Sequence, residues 1–243
     1  MLTTLTPVVP RAWDRTNADA HFAPLYTELT SAEYTATLRR IFSSIRHATI
    51  PPYVQDVLYK TATNGHQVGS RKKKGEENCI RCDGKDRETL EHAYATCDPG
   101  AAPLWRLVVG RWNDATNDTL DASDLRLTLL GDRGEQRRAL SEDLWRLVHA
   151  ATAYTIHNAV RNANKTRDSP HHRQPQPQRM LADVRRLLQK LVTAAWDSRT
   201  TGALHLWSEW RTERWVEKRG GRAVVRILDG GYQQQGVDTA AVR

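Results

Sequence analysis

The chain has 243 residues, a formal charge of +8 and a pI near 9.6, with 39% hydrophobic and 26% charged residues. That length holds one large domain or two small ones, and an apolar share below the globular norm leaves part of the chain outside any core. No apolar run approaches the ~20 residues of a spanning helix, and Met1-Leu-Thr-Thr-Leu-Thr-Pro7 lacks the basic-then-apolar pattern of a secretory signal. We therefore expect a soluble intracellular protein, nuclear or cytoplasmic and not secreted, with no membrane association. The basic balance suits nucleic acid or another acidic surface, against the plainer reading of ordinary solubility.

In chain order, residues 1–30 carry Pro7, Pro10 and Pro24 and little periodicity, so a loosely ordered N-terminal segment is expected. A helix starts at Ser31 with Glu33 in its first turn and Leu38, Ile41 and Ile45 on one face. Pro51-Pro52 stops it and opens a short helix marked by Val54, Val57, Leu58 and Ala62, which Asn64-Gly65 ends. The charged loop Ser70 to Asn78 holds Arg71-Lys72-Lys73-Lys74. That run reads as a phosphate-binding patch, a weak nuclear import signal or a solvated loop.

All three cysteines then fall between residues 79 and 97, as Cys79-x-x-Cys82, with His92 before Cys97. An odd, clustered set argues against a disulfide framework and for a reducing compartment. Four ligands in the order Cys, Cys, His, Cys fit Zn²⁺, which takes thiolate and imidazole in a tetrahedron. A full set of four protein ligands leaves no open position and marks a structural site. The competing readings are a redox Cys-x-x-Cys pair, which wants a βαβ context not seen here, and unbound thiols clustered by chance. Asp86 to Ala95 reads as a short helix bearing His92. Five residues of regular helix turn about 500°, so the helix should distort or end before Cys97, as Asp98-Pro99-Gly100 allows. Arg81, Lys85 and Arg87 lie between the ligands and offset the net −1 of three thiolates on one Zn²⁺. With Arg71, Lys72, Lys73 and Lys74 they are the candidate nucleic-acid contacts.

Beyond the zinc window, Pro103 to Val108 suggests a helix. Leu125 to Leu130 is a short helix or strand among loops, and residues 136–163 form the longest expected helix. Residues 166–179, rich in Pro and Gln, read as a linker. Helical periodicity returns from Met180 to Ala195 and again over Leu204 to Lys218, with a short strand near Val224 to Ile227 and a disordered tail from Gly230. Arg161 to Lys190 carries eight Lys/Arg against two acids and could follow a nucleic-acid backbone or be a solvated helix face. Trp207, Trp210 and Trp215 could stack on bases, although packing is the commoner use. His171 and His172 are read as decoration of the linker. The expected organisation is therefore mostly α. A helical domain over 31–165 contains the zinc module at about 70–105, and the linker separates it from a helical region over 180–229.

Cys79-x-x-Cys82, Glu88-Thr89, His92, Cys97 and Trp105 together resemble the reverse-transcriptase zinc-binding domain of non-LTR retrotransposon proteins, over roughly residues 50–110. The resemblance implies that Glu88-Thr89 starts or caps the helix bearing His92 and that Trp105 covers the metal core. The chain has no Asp-Asp dipeptide and no strand-rich palm pattern, so a C-terminal piece without polymerase activity is expected, not an enzyme. Zn²⁺ is the expected cofactor and RNA or DNA the expected partner. The alternatives are a protein-interaction module using the Trp-rich C-terminal helices, an enzyme fragment that needs a polymerase or nuclease partner in trans, and a non-functional retroelement remnant.

Overall fold

The computed structural model describes residues 20–68, 77–134, 139–166, 174–197, 215–220 and 222–229. The chain is mostly helical. Helix α1 spans Ser31–Ile45 and α2 spans Pro52–Ala62. After the cysteine window come α3 (Ala101–Thr116), α4 (Leu125–Leu130), α5 (Ala139–Lys165) and α6 (Pro177–Asp197). Strands β1 (Val216–Arg219) and β2 (Arg222–Val225) form an antiparallel hairpin in which Val216 faces Val225.

Local chemistry sets several of these boundaries. Thr30 caps α1: its hydroxyl accepts from Glu33 N, and the Glu33 carboxylate accepts from Thr30 N at 2.8 Å. Pro51 and Pro52 open α2, where a missing N–H costs nothing. Asn64, at φ 49°, ends it in the left-handed region.

Helix α5 is the hub. Leu144, Trp145, Leu147, Val148, Ala150, Ala151, Ala153, Ile156 and Val160 are all buried, so it is apolar over most of its circumference. It packs against α2, α3, α4 and α6 and against both turns of the cysteine window. Helix α6 buries one stripe, Met180, Leu181, Val184, Leu188, Leu191, Val192 and Ala195, while Arg179, Asp183, Arg186 and Lys190 stay exposed. Its Gln189 pairs with the backbone of the second strand: the amide donates to Ala223 O at 2.6 Å, and Val225 N donates to its oxygen at 2.9 Å.

Several expectations are corrected. Residues 20–30 are not loose: Phe22 and Tyr26 are buried, and Tyr26 Oη donates to Asp132 at 2.9 Å. The segment after the linker is not set apart, because α6 and the hairpin share one core with α1 through α5. Residues 177–179 of the expected linker are the first turn of α6, and residues 216–218 are strand where helix was expected. Trp215 is buried against Trp112 and donates to Ala115 O at 3.0 Å, a packing role. Trp207, Trp210, His171, His172 and the tail lie outside the described residues. No described helix is long and apolar enough to cross a membrane.

Two buried histidines make this core acid-sensitive. His149 stacks on Trp105 and its Nε2 lies 3.2 Å from Thr128 O, which fixes the neutral ring with its proton on Nε2. Desolvation lowers its pKa to about 4 and that of His66 to about 3. Both unfold to about 6.5. Their folded values are depressed, so the stabilisation is complete above pH 6.5 and is lost as pH falls toward 4 and then 3. We expect the urea midpoint to drop between pH 7 and pH 4.5, and to drop less in His149→Gln. Equal slopes in the two proteins would contradict this.

Candidate metal centre

The first two cysteines sit at the tip of a small hairpin. Asn78 and Arg87 form an antiparallel bridge at its base, and Cys79 N donates to Asp86 O at 2.8 Å. A 3₁₀ turn over Ile80–Cys82 carries the chain around. Gly84 N then donates back to Cys79 O at 2.9 Å. Asp83 and Gly84 hold φ of 57° and 74°, the left-handed pair that lets so short a loop close; an aspartate tolerates that region and a glycine favours it.

The other two donors come from one distorted helix. Thr89 caps it, its hydroxyl accepting from His92 N at 3.1 Å. Residues His92–Thr96 are π-helical, and Cys97 N donates to His92 O at 2.8 Å. A regular helix would leave these side chains about 140° apart. The wider i→i+5 turn brings both onto one side, and the extended backbone of Cys97 ends the element there.

Cys79, Cys82, His92 and Cys97 thus form a cluster compatible with a metal ion. Cys79 Sγ and Cys97 Sγ are 3.8 Å apart, and Cys82 Sγ is 3.6 Å from His92 Nε2. A tetrahedron with arms of about 2.3 Å to sulfur and about 2.0 Å to nitrogen has edges of about 3.8 and 3.6 Å. These two separations have the lengths of edges of such a shell. His92 also groups with Cys79 and Cys97, so its ring joins the two pairs. Asp86 is a fifth nearby donor: its carboxylate is 62% exposed, and one oxygen lies 3.9 Å from His92 Nδ1 and 3.7 Å from Cys82 Sγ, so it borders both residues.

The thiols resist losing all their protons unaided. Cys79 is pushed far down, chiefly by the hydrogen bond from Cys97 and then by His92, while the same contact pushes Cys97 up. Desolvation raises Cys82. The close pair therefore gives up one proton readily and holds the second, and a bound metal cation would let all three ionise together.

Arg81 is not a surface contact. Its side chain is 1% exposed, its Nη1 donates to Ala93 O at 3.0 Å, and its Nη2 lies 3.9 Å from the Glu88 carboxylate, which is 0% exposed. A Cβ on Gly100 would sit 3.2 Å from Arg81 Nη1 and 3.6 Å from Cys97 Sγ, so glycine leaves the guanidinium room beside that sulfur. The buried cation lies beside the cysteine cluster, where thiolate charge would need compensating. Glu88 is accordingly an ion-pair partner, and the capping falls to Thr89 alone. Trp105 is buried, donates from Nε1 to Tyr94 O at 2.9 Å and so clamps the π turn that carries His92. Lys85 and Arg87 are exposed. Arg71, Lys72, Lys73 and Lys74 lie outside the described residues.

One cluster had no clear sequence signal. Tyr94 Oη stands 3.1 Å from His66 Nδ1 and 2.8 Å from His157 Nδ1, and His66 Nε2 reaches Thr61 Oγ1 at 3.0 Å. These residues span Thr61 to His157, so no local spacing announces them.

No protein family matches the chain, and neither a curated protein nor a solved structure does.

Proposed function

We propose that residues 77–105 are a structural zinc module through which a basic, mostly helical protein is held in shape to contact RNA or DNA. The carrying observation is the clustering of the four donors, with Cys79–Cys97 at 3.8 Å and Cys82–His92 at 3.6 Å, separations that tetrahedral coordination would have. Three thiolates and an imidazole select a soft-to-borderline cation, and Zn²⁺ suits that donor set. Four protein donors fill the shell and leave no position for a metal-bound water, so the ion is a scaffold and not a reaction centre. The residue pattern Cys79, Cys82, Glu88, Thr89, His92, Cys97 and Trp105 supports kinship with the reverse-transcriptase zinc-binding domain, as a piece without its polymerase. The net charge of +8 and the exposed Lys85 and Arg87 on the knuckle support a polyanionic partner met mainly through phosphates.

The test is metal analysis of purified protein and its Cys82→Ser variant, followed by filter binding of labelled RNA and DNA across 50–200 mM salt. We expect one zinc per chain, lost in the variant, and an affinity that falls steeply with salt. Affinity that ignores salt, or no binding, removes the nucleic-acid half; metal-free wild-type protein removes the zinc half.

A further inference from the structure

Between the C-terminal half of α5 and the exposed face of α6 runs an open groove of about 810 Å³. Its floor and one wall are α5, with Tyr154, Asn158 and Asn162 at four-residue spacing on one face. Its other wall is α6, presenting Arg179, Arg186 and Lys190, all exposed. Tyr53, the first turn of α2, stands at one end. It is 52% exposed, the large hydrophobic side chain that the described surface leaves most open, and its ring meets Tyr154 edge-on at 5.2 Å.

We propose that this groove binds single-stranded nucleic acid, the bases stacking at Tyr53 and Tyr154 and the phosphates running along Arg179, Arg186 and Lys190. The inference rests on the nucleic-acid reading above and adds its location. Three cations face one carboxylate, Asp183, which Arg186 already engages at 3.0 Å. The groove is therefore electropositive, and an acidic chain complements it. The amides of Asn158 and Asn162 offer both donors and acceptors, which suits base edges better than a uniform anionic surface does. Tyr154 to Asn162 spans about 12 Å of helix axis, close to three or four stacked nucleotides at about 3.4 Å per phosphate of a strand. A duplex is too thick to bring its bases onto the tyrosines, so single strands are the occupant. At the far end Gln174 Nε2 lies 3.4 Å from Asp83 Oδ2, which brings the cysteine hairpin, with its exposed Lys85 and Arg87, to that end of the groove.

The test uses the full-length, zinc-loaded protein and fluorescence anisotropy with labelled U12, dT12 and a 12-base-pair duplex at fixed salt. Tyr53 is exposed and at a helix start, so Tyr53→Ala leaves the fold intact, and circular dichroism verifies it. We expect Tyr53→Ala to weaken U12 or dT12 at least ~5-fold, in line with about 1–3 kcal/mol per stacked base, with Tyr53→Phe close to wild type. Arg179→Gln/Lys190→Gln should weaken both single strands about 10-fold or more and flatten the salt dependence, with the duplex bound more weakly than either strand. Comparison of U12 with dT12 reads whether the 2′-hydroxyl is recognised. If Lys85→Gln/Arg87→Gln abolishes binding while the groove variants bind like wild type, the groove is wrong and the nucleic-acid reading stands. If polyglutamate displaces U12 as well as unlabelled U12 does, the groove is an acidic-peptide site and the proposal is overturned. Wild-type protein that binds no oligonucleotide overturns both.

Discussion

Cys97→Ser is expected to release the metal and to lower the melting temperature by at least about 10 °C. Structural zinc contributes roughly 10–16 kcal/mol in apparent terms, against a whole-domain stability of about 5–15 kcal/mol. In a chain of this size ~1 kcal/mol moves the melting temperature by about 2–4 °C. The damage should not stay local. Leu90, Ala93 and Tyr94, on the same short helix as His92, belong to the main core, and Trp105 ties Tyr94 O to α3. Losing the ion frees the π turn, and the turn takes part of the core with it. A strong chelator on wild-type protein should reproduce the variant's near-ultraviolet circular dichroism. Unchanged melting of Cys97→Ser would mean that the cluster folds without a cation.

The second large effect is Glu88→Leu, which takes the carboxylate away from the buried Arg81 guanidinium. Breaking a buried pair by removing one partner costs about 3–5 kcal/mol, and Arg81 then keeps only Ala93 O and the neighbouring cysteine cluster as partners. Arg81 and Glu88 are 1% and 0% exposed, so solvent does not soften that loss. Replacing both, as Arg81→Met/Glu88→Leu, should recover much of the stability, since the pair also escapes its own desolvation. A double-mutant cycle by urea denaturation reads the coupling: a value above ~2 kcal/mol is expected, and simple additivity would contradict the pairing. Metal affinity of the double variant should still fall, because Arg81 also offsets the thiolate charge.

What the sequence made legible was mostly local. Glu33 in a first turn, Pro51-Pro52 and Asn64-Gly65 act on their own turns, so the start of α1 and both ends of α2 could be placed closely, while α1 ends at Ile45, before the prolines. The four-residue cluster was legible because metal chemistry admits few residue types and few spacings. The five-residue step from His92 to Cys97 even required a helix distortion, although not its form, the i→i+5 turn. Long-range pairing was not legible. Arg81 sits among exposed Asp83, Lys85, Asp86 and Arg87, and nothing in that run marks it as the one cation turned inward by Glu88 across the hairpin. Phe22 and Tyr26 were hidden by a proline-rich neighbourhood, yet Tyr26 is fixed by Asp132, more than a hundred positions away. The polar linker suggested a separate C-terminal region, whereas the apolar stripe of α6 had its partner on α5.

X-ray absorption at the zinc edge of the purified protein addresses the central claim most directly. A first shell of three sulfurs at about 2.3 Å and one nitrogen at about 2.0–2.1 Å is the expected result. A shell dominated by oxygen, or protein that retains no zinc at all, would contradict it.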